Sequence, residues 1–272
     1  MTNIIKAIIL GIIQGITEFL PISSSGHLML GQRLLNFEMD GMMSLVVMLH
    51  LGTLFAVIIY FYKDIINITG SFFVISNEEK YTQRRKTGLL LLVATIVTGA
   101  LYFAFQDSVD AIFDSTSKTN IYIVCIFLGV TGFMNLMSDK IKINRSSAHE
   151  LGIFKSMIIG LGQAFALNPG ISRSGATITF GLLVGLKREE VAKFSFLLSI
   201  PAILGAVVKE LPSLASLPKE DMIYYLAGSF SAFLSGFLVI SFLIKMLKRR
   251  NMKIFAYWCW FVAIVSAVLI TI

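Results

Sequence analysis

The chain has 272 residues, 56% of them hydrophobic and only 14% charged, with 22 Phe and 12 Met. A soluble domain carries about 25% charged residues and cannot bury so much apolar side chain, so a water-soluble enzyme, a secreted disulfide scaffold and a disordered chain are excluded. In a polytopic membrane protein the net charge of +7 reads as basic cytoplasmic loops rather than as a nucleic-acid surface. Cys125 and Cys259 both fall inside apolar runs and show no metal-type spacing. Residues 1–20 carry a single Lys and no small-residue cleavage site, so no cleavable signal is expected.

Taken in chain order, the first apolar stretch, about 4–35, is interrupted between Pro21 and Gly26. Spans are expected at 42–62, 87–105 and 120–138. A second interrupted stretch, about 153–186, is broken between Asn168 and Gly175. Further spans are expected at 194–208 (short, with Pro201), 222–244 and 254–272. A bilayer core of ~30 Å takes about 17–25 helical residues, and neither half of a broken stretch reaches that comfortably.

Loop charge sets orientation. The segment 63–86 holds Lys63, Lys80, Arg84, Arg85 and Lys86, and 139–155 holds Lys140, Lys142, Arg145 and Lys155. Lys187, Arg188 and Lys193 precede the fourth span, and Lys245, Lys248, Arg249, Arg250 and Lys253 precede the sixth. The segment 106–119 instead carries Asp107, Asp110 and Asp114 against Lys118. With the basic loops in the cytoplasm all six spans alternate, and each broken stretch must enter and return on its own side. Both therefore read as re-entrant helix-loop-helix hairpins, dipping in from opposite faces.

A shift of 149 positions pairs Gly11 with Gly160, Gln14 with Gln163, Ser23 with Ser172, Ser25 with Ser174, and Gly26 with Gly175. The expected architecture is thus an all-α polytopic membrane protein, one integral membrane domain over 1–272, built as an inverted-topology repeat. Repeat 1 covers about 1–148 and repeat 2 about 149–272, each a hairpin plus three spans. Interrupted helices of such repeats meet near the bilayer midplane and form the binding site.

The hairpin tips are rich in groups that bind an anion. Ser23, Ser24 and Ser25 in the first tip and Ser172, Ser174 and Thr177 in the second supply hydroxyls. Gly26 and Gly175 are expected to open the returning half-helices, with free N–H groups and a positive dipole end. Arg173 adds a planar fork of donors suited to phosphate oxygens. Glu18, His27, His50 and Arg173 are ionisable groups at membrane depth, costly and therefore functional by default. Their structural alternative is an ion pair of Glu18 with Arg173 that locks the hairpins together. His50, whose repeat partner is Ser199, reads more simply as a hydrogen-bonded packing residue. Gln14 and Glu18 lie four apart on one helical face. Ser24 and His27 lie three apart across the tip, within reach of each other as nucleophile and base. This set amounts to a phosphoryl-transfer site, in which His27 could activate Ser24, attack directly or protonate the leaving group.

The string Ser24-Ser25-Gly26-His27 resembles the Ser-Gly-His box of membrane acid phosphatases of the phosphatidic-acid type. Those also need a histidine after a Ser-Arg pair, and none follows Arg173, so that family is rejected. The two longer motifs, Gln14 to His27 and Pro169 to Thr177, resemble undecaprenyl-diphosphatase, the bacitracin-resistance family, and the similarity covers nearly the whole chain. The resemblance implies removal of the terminal phosphate of undecaprenyl diphosphate, recycling the lipid carrier of cell-wall synthesis. It implies a bacterial plasma-membrane location, with the site open to the extracytoplasmic side. It places Glu18, Ser24, His27 and Arg173 on the catalytic positions. Gln14, Ser23, Ser25, Gly26, Ser172, Ser174, Gly175 and Thr177 would bind phosphate. It implies a divalent cation, Mg2+ or Ca2+, with Glu18 as ligand, and Gln14 leaves one carboxylate where the family usually has two. The competing class is a transporter, flipping a polyprenyl phosphate or carrying an anion through the same cavity; a carrier needs no nucleophile. A homodimer is compatible with glycine-containing spans (Gly99, Gly129, Gly132, Gly228, Gly236), which serve internal packing equally well.

Overall fold

A computed structural model describes residues 2–37, 42–113, 118–141, 146–215 and 221–271. Asp114, Lys142 and Arg145, used above for orientation, lie outside the described residues. The first broken stretch forms α1 (Asn3–Phe19) and α2 (Ser24–Leu34), followed by α3 (Met42–Tyr60), α4 (Tyr62–Ser71), α5 (Glu79–Phe113) and α6 (Lys118–Lys140). The second forms α7 (Ile153–Phe165) and α8 (Arg173–Leu183), followed by α9 (Arg188–Ala215), α10 (Met222–Lys248) and α11 (Lys253–Thr271). Among the described residues there is no strand beyond one isolated bridge between Ser146 and Leu186.

Five helices, α3, α5, α6, α9 and α10, are long and apolar enough to cross a membrane, so the chain is a multi-pass membrane protein. The span expected at 254–272 is helical as α11. The helices α5, α6, α9 and α10 overrun the expected boundaries, whereas α3 stops two residues short of its own. The short span at 194–208 is the middle of α9, which keeps Pro201 and Pro212 inside it, as helices packed within a membrane protein can. The helix α4 lies in the segment read as a basic loop, and Phe61, at φ −106, ψ 21, separates it from α3.

Both breaks have local causes. A proline disfavours helical geometry at the residue before it, and Leu20, before Pro21, is extended at φ −67, ψ 143. In the second break Gly170 takes φ +96, which favours glycine. A Cβ there would also lie 2.6 Å from the Val124 carbonyl. Each chain restarts on a serine cap: Ser23 accepts from Gly26 N–H and Ser172 from Gly175 N–H. The freed carbonyls at the breaks are met by α6, where Asn135 donates to the Pro21 carbonyl and Thr131 to the Gly170 carbonyl at 2.9 Å. Thr131 also accepts from the Ser172 N–H at 3.0 Å. Buried backbone that no helix satisfies is thus paired by side chains of a neighbour.

The packing crosses between the halves of the chain: α1 lies on α10, and α7 on α5. Glycines set both approaches. A Cβ on Gly11 would sit 2.2 Å from the Gly228 carbonyl of α10, and one on Gly160 would sit 2.6 Å from the Ala94 carbonyl of α5. The main apolar core joins Phe19, Ile22, Phe61, Ile178, Phe196, Leu198 and Ile240, with Phe196 in edge contact with Phe19 at 5.6 Å between ring centres. Gly132, Gly228 and Gly236 each pack against internal side chains (Trp260, Leu49 and Phe19), whereas Gly99 and Gly129 face open space. Phe103, Phe230, Leu238 and Ile264 point outward and exposed, as the lipid-facing surface of a membrane protein requires.

Candidate active site

The two breaks face each other. Ser174 donates to the Leu20 carbonyl at 3.2 Å, and the Gly170 N–H donates to Ser25 Oγ at 3.4 Å. The absence of a side chain on Gly175 allows this closeness, since a Cβ there would lie 3.3 Å from the Pro21 ring.

At the junction sits Glu18, from the last turn of α1, only 7% exposed. Its Oε1 accepts from the Arg173 guanidinium at the start of α8. Its Oε2 accepts from the Ser24 hydroxyl at 2.7 Å and from the Gln14 amide at 3.0 Å. His50 of α3 brings its Nε2 to 3.6 Å of the same oxygen. Four elements therefore converge on one carboxylate. Arg173 is further steadied by the Ser195 carbonyl of α9 at 3.4 Å. Thr177 pairs with the Ser195 hydroxyl at 2.6 Å and donates to the Arg173 carbonyl at 2.8 Å.

Most of the candidate residues are brought together. Ser23 and Ser25 are paired at 3.2 Å, as are Ser172 and Ser174. Ser23 is held at φ +70, a conformation rare outside glycine that persists only where the surroundings enforce it. Two expectations are corrected. Gly26 and Gly175 do not open the returning helices or leave free N–H groups: α2 begins at Ser24 and α8 at Arg173, and both glycine N–H groups are taken by the serine caps. The donors without an intrahelical acceptor are those of the first turn, at Ser24, Ser25, Arg173 and Ser174. The second correction concerns His27, whose ring makes no hydrogen bond to Ser24. Its Nδ1 lies 2.8 Å from the Ser23 carbonyl and its Nε2 accepts from the indole of Trp258 at 2.9 Å, while Ser24 is held by Glu18. His50, expected to be a packing residue, does hydrogen-bond the Val46 carbonyl at 2.8 Å but also flanks Glu18.

Sequence reasoning missed Thr131, Asn135, Ser195 and Trp258. Thr131, Asn135 and Trp258 reach the site from helices distant in the chain and Ser195 from the next helix, α9, and none carries a motif of its own. The arrangement offers a hydroxyl pre-bonded to a carboxylate, a guanidinium, and two helix N-termini that favour anions. A buried carboxylate that loses its cation is strongly destabilising, by about 3–5 kcal/mol. Arg173→Met should therefore lower the midpoint of thermal unfolding in detergent, and adding Glu18→Gln should recover most of it. A double variant no more stable than the single one would show that the pair does not hold the two tips.

The chain matches the family described as bacitracin resistance protein BacA over residues 7–265. It is 39% identical to the undecaprenyl-diphosphatase of Methanobrevibacter smithii, over 97% of this chain and 96% of that one. It is 40% identical to that of Alkaliphilus metalliredigens, over 94% of each. With undecaprenyl-diphosphatase 4 of Bacillus thuringiensis the identity is 42%, over 97% of this chain and 96% of the relative.

Proposed function

The chain belongs to the bacitracin resistance protein BacA family, and from that premise we propose that it hydrolyses undecaprenyl diphosphate to undecaprenyl phosphate and inorganic phosphate. The reaction recycles the lipid carrier of cell-wall synthesis and accounts for bacitracin resistance. The observation that carries the reading is the Ser24 hydroxyl, bonded to Glu18 beside Arg173. A hydroxyl is a weak nucleophile until a neighbouring base takes its proton. Here the base is the carboxylate rather than the imidazole.

Ser24 Oγ attacks the terminal phosphorus while its proton passes to Glu18. The bridging P–O bond breaks, and undecaprenyl phosphate leaves. Water then displaces Ser24 from phosphorus, returning a proton to Oγ; inorganic phosphate leaves, and the proton held by Glu18 goes to solvent. Arg173, the first-turn N–H groups of α2 and α8 and the Ser25 hydroxyl orient and stabilise the phosphate oxygens. Ser23 and Ser172 cap those two helices. Ser174 and Thr177, whose hydroxyls are taken by the Leu20 and Arg173 carbonyls, hold the tips and the guanidinium in place. His27 exchanges protons through Nε2, the ring nitrogen left once Nδ1–H donates to Ser23. A carrier would need no such nucleophile, and no observation favours transport. Ser24→Ala, His27→Ala and Arg173→Ala should each lower kcat for phosphate release by about 10²–10⁴; normal turnover at normal expression would overturn the assignment.

The residues do not fit a resident divalent cation. Glu18 is the one carboxylate of the cluster, one oxygen is held by a guanidinium, and the other is held by a hydroxyl and an amide. A hard cation prefers several anionic oxygens, and no group of three or more His, Cys, Asp or Glu able to hold a metal exists among the described residues. An Mg2+ or Ca2+ ion taking part would have to be held by oxygens of the diphosphate, whose charge it would offset. Without substrate, neither ion should raise the thermal midpoint; a saturable rise abolished by Glu18→Gln would return the ion to the protein.

The architecture that this reading uses is two inverted repeats, 1–148 and 149–272, each a re-entrant hairpin and three spans, with the site opening outside the plasma membrane. The matched serine caps, the paired glycines Gly11 and Gly160, and the crossed packing of α1 on α10 and α7 on α5 support it. Cysteine labelling reports sidedness cleanly because both native cysteines are buried. Asp107→Cys, at an exposed position, should react with an impermeant maleimide on intact cells, and reaction only after permeabilisation would reverse the topology.

A further inference from the structure

His27 is the one member of the proposed catalytic set that the Glu18–Arg173 cluster does not hold. With the proton on Nδ1, donated to the Ser23 carbonyl, all acid–base work by this ring passes through Nε2. That nitrogen is covered by the indole N–H of Trp258 at 2.9 Å. The two rings lie nearly parallel, 13° apart with centres at 6.2 Å. Trp258 comes from α11, far from every motif, and is 46% exposed.

What it is exposed to is an apolar groove of about 910 Å³, bounded by α1, α2, α6 and α11, near the upper end of the ~300–1,000 Å³ usual for ligand pockets. Ile16, Leu20, Leu30, Phe261 and Val265 line it, and of Glu18, Ser24, His27 and Arg173 only His27 reaches it. The groove and the carboxylate cluster share the first tip, one apolar and one polar. An isoprenoid diphosphate has the same two parts in the same order, so the occupant of the groove is the substrate's own hydrocarbon tail.

We propose that Trp258 is a latch and positioning residue on His27, which the isoprenoid tail, on filling this groove, moves aside to free Nε2 for the reaction. The inference rests on the diphosphatase reading above and adds to it a basis for selecting long-chain substrates: a short tail leaves the latch closed. Trp258→Phe keeps the ring and removes the N–H. Rates of phosphate release from a long-chain polyprenyl diphosphate and from farnesyl diphosphate should be compared in detergent. In the variant the ratio of long-chain to short-chain kcat should shrink by about fivefold, the equilibrium weight of one neutral hydrogen bond, because the short-chain rate rises. An unchanged ratio, or an equal loss on both substrates, would overturn the latch. A second measurement does not depend on that variant folding. The chain has two tryptophans, so Trp260→Phe leaves Trp258 as the sole indole. Its emission should shift on adding a long-chain polyprenol and not on adding inorganic phosphate; no shift with the polyprenol would also overturn the proposal. If the unaltered protein releases phosphate from neither diphosphate, the diphosphatase reading fails, while the polyprenol shift still reports on the groove.

Discussion

A carboxylate buried inside a membrane protein must be compensated, and the answer to Glu18 organises this molecule. Its partners come from the same helix (Gln14), from the returning helix α2 (Ser24), from the first span α3 (His50) and from the opposite broken helix α8 (Arg173). Buried ion pairs add little net stability, because desolvation offsets the Coulombic gain, but breaking one is costly. The pair therefore acts on register: packings of the two breaks that separate Glu18 from Arg173 leave a naked charge in a medium of low dielectric. Serine caps, paired hydroxyls and the close approach of Gly175 to Pro21 then fix the remaining geometry.

Interrupting two helices at depth exposes backbone groups that cannot be left unpaired. α6 supplies what is missing, with Asn135 and Thr131 holding one carbonyl from each break. The serine caps take the Gly26 and Gly175 N–H groups, and those of Ser24, Ser25, Arg173 and Ser174, without an intrahelical acceptor, are left to meet an anion. The φ of +70 at Ser23 is the accompanying strain, sustained because the cap, the Ser25 hydroxyl and the packed tips around it allow no relaxation. The features that make the breaks tolerable and those that make them useful are the same hydrogen bonds.

The first tip also divides two environments. On one side lie Glu18, Ser24 and Arg173; on the other lies a mainly apolar groove, with Arg33 and Asn36 also in its lining. His27 stands at the boundary, tied by Ser23 to the polar side and by Trp258 to the apolar one. An amphiphilic lipid diphosphate matches such a division, since its head and tail demand opposite surroundings within a few bonds of each other.

Much of this was legible in the chain, for local reasons. Apolar run length marks membrane helices whatever they pack against, and Pro21 and the Asn168–Gly170 segment break helices by backbone sterics that need no tertiary context. Glu18 and Arg173 stood out because ionised groups are rare in such runs. Other features were decided only by folding. Whether Ser24 meets His27 or Glu18 depends on which way α2 turns after its cap; spacing along the chain paired Ser24 with His27, and the fold gives its hydroxyl to Glu18. The glycines of the tips looked like donors but proved to be satisfied by their own caps. Trp258, Thr131, Asn135 and Ser195 act across tens to hundreds of residues, through contacts that leave no periodicity or motif behind. By itself the sequence determined that two broken helices carry one carboxylate and one guanidinium into a membrane protein. Only the tertiary structure decided which atoms they meet, because buried charges choose partners by proximity in space, and that is set by the packing of helices remote in the chain.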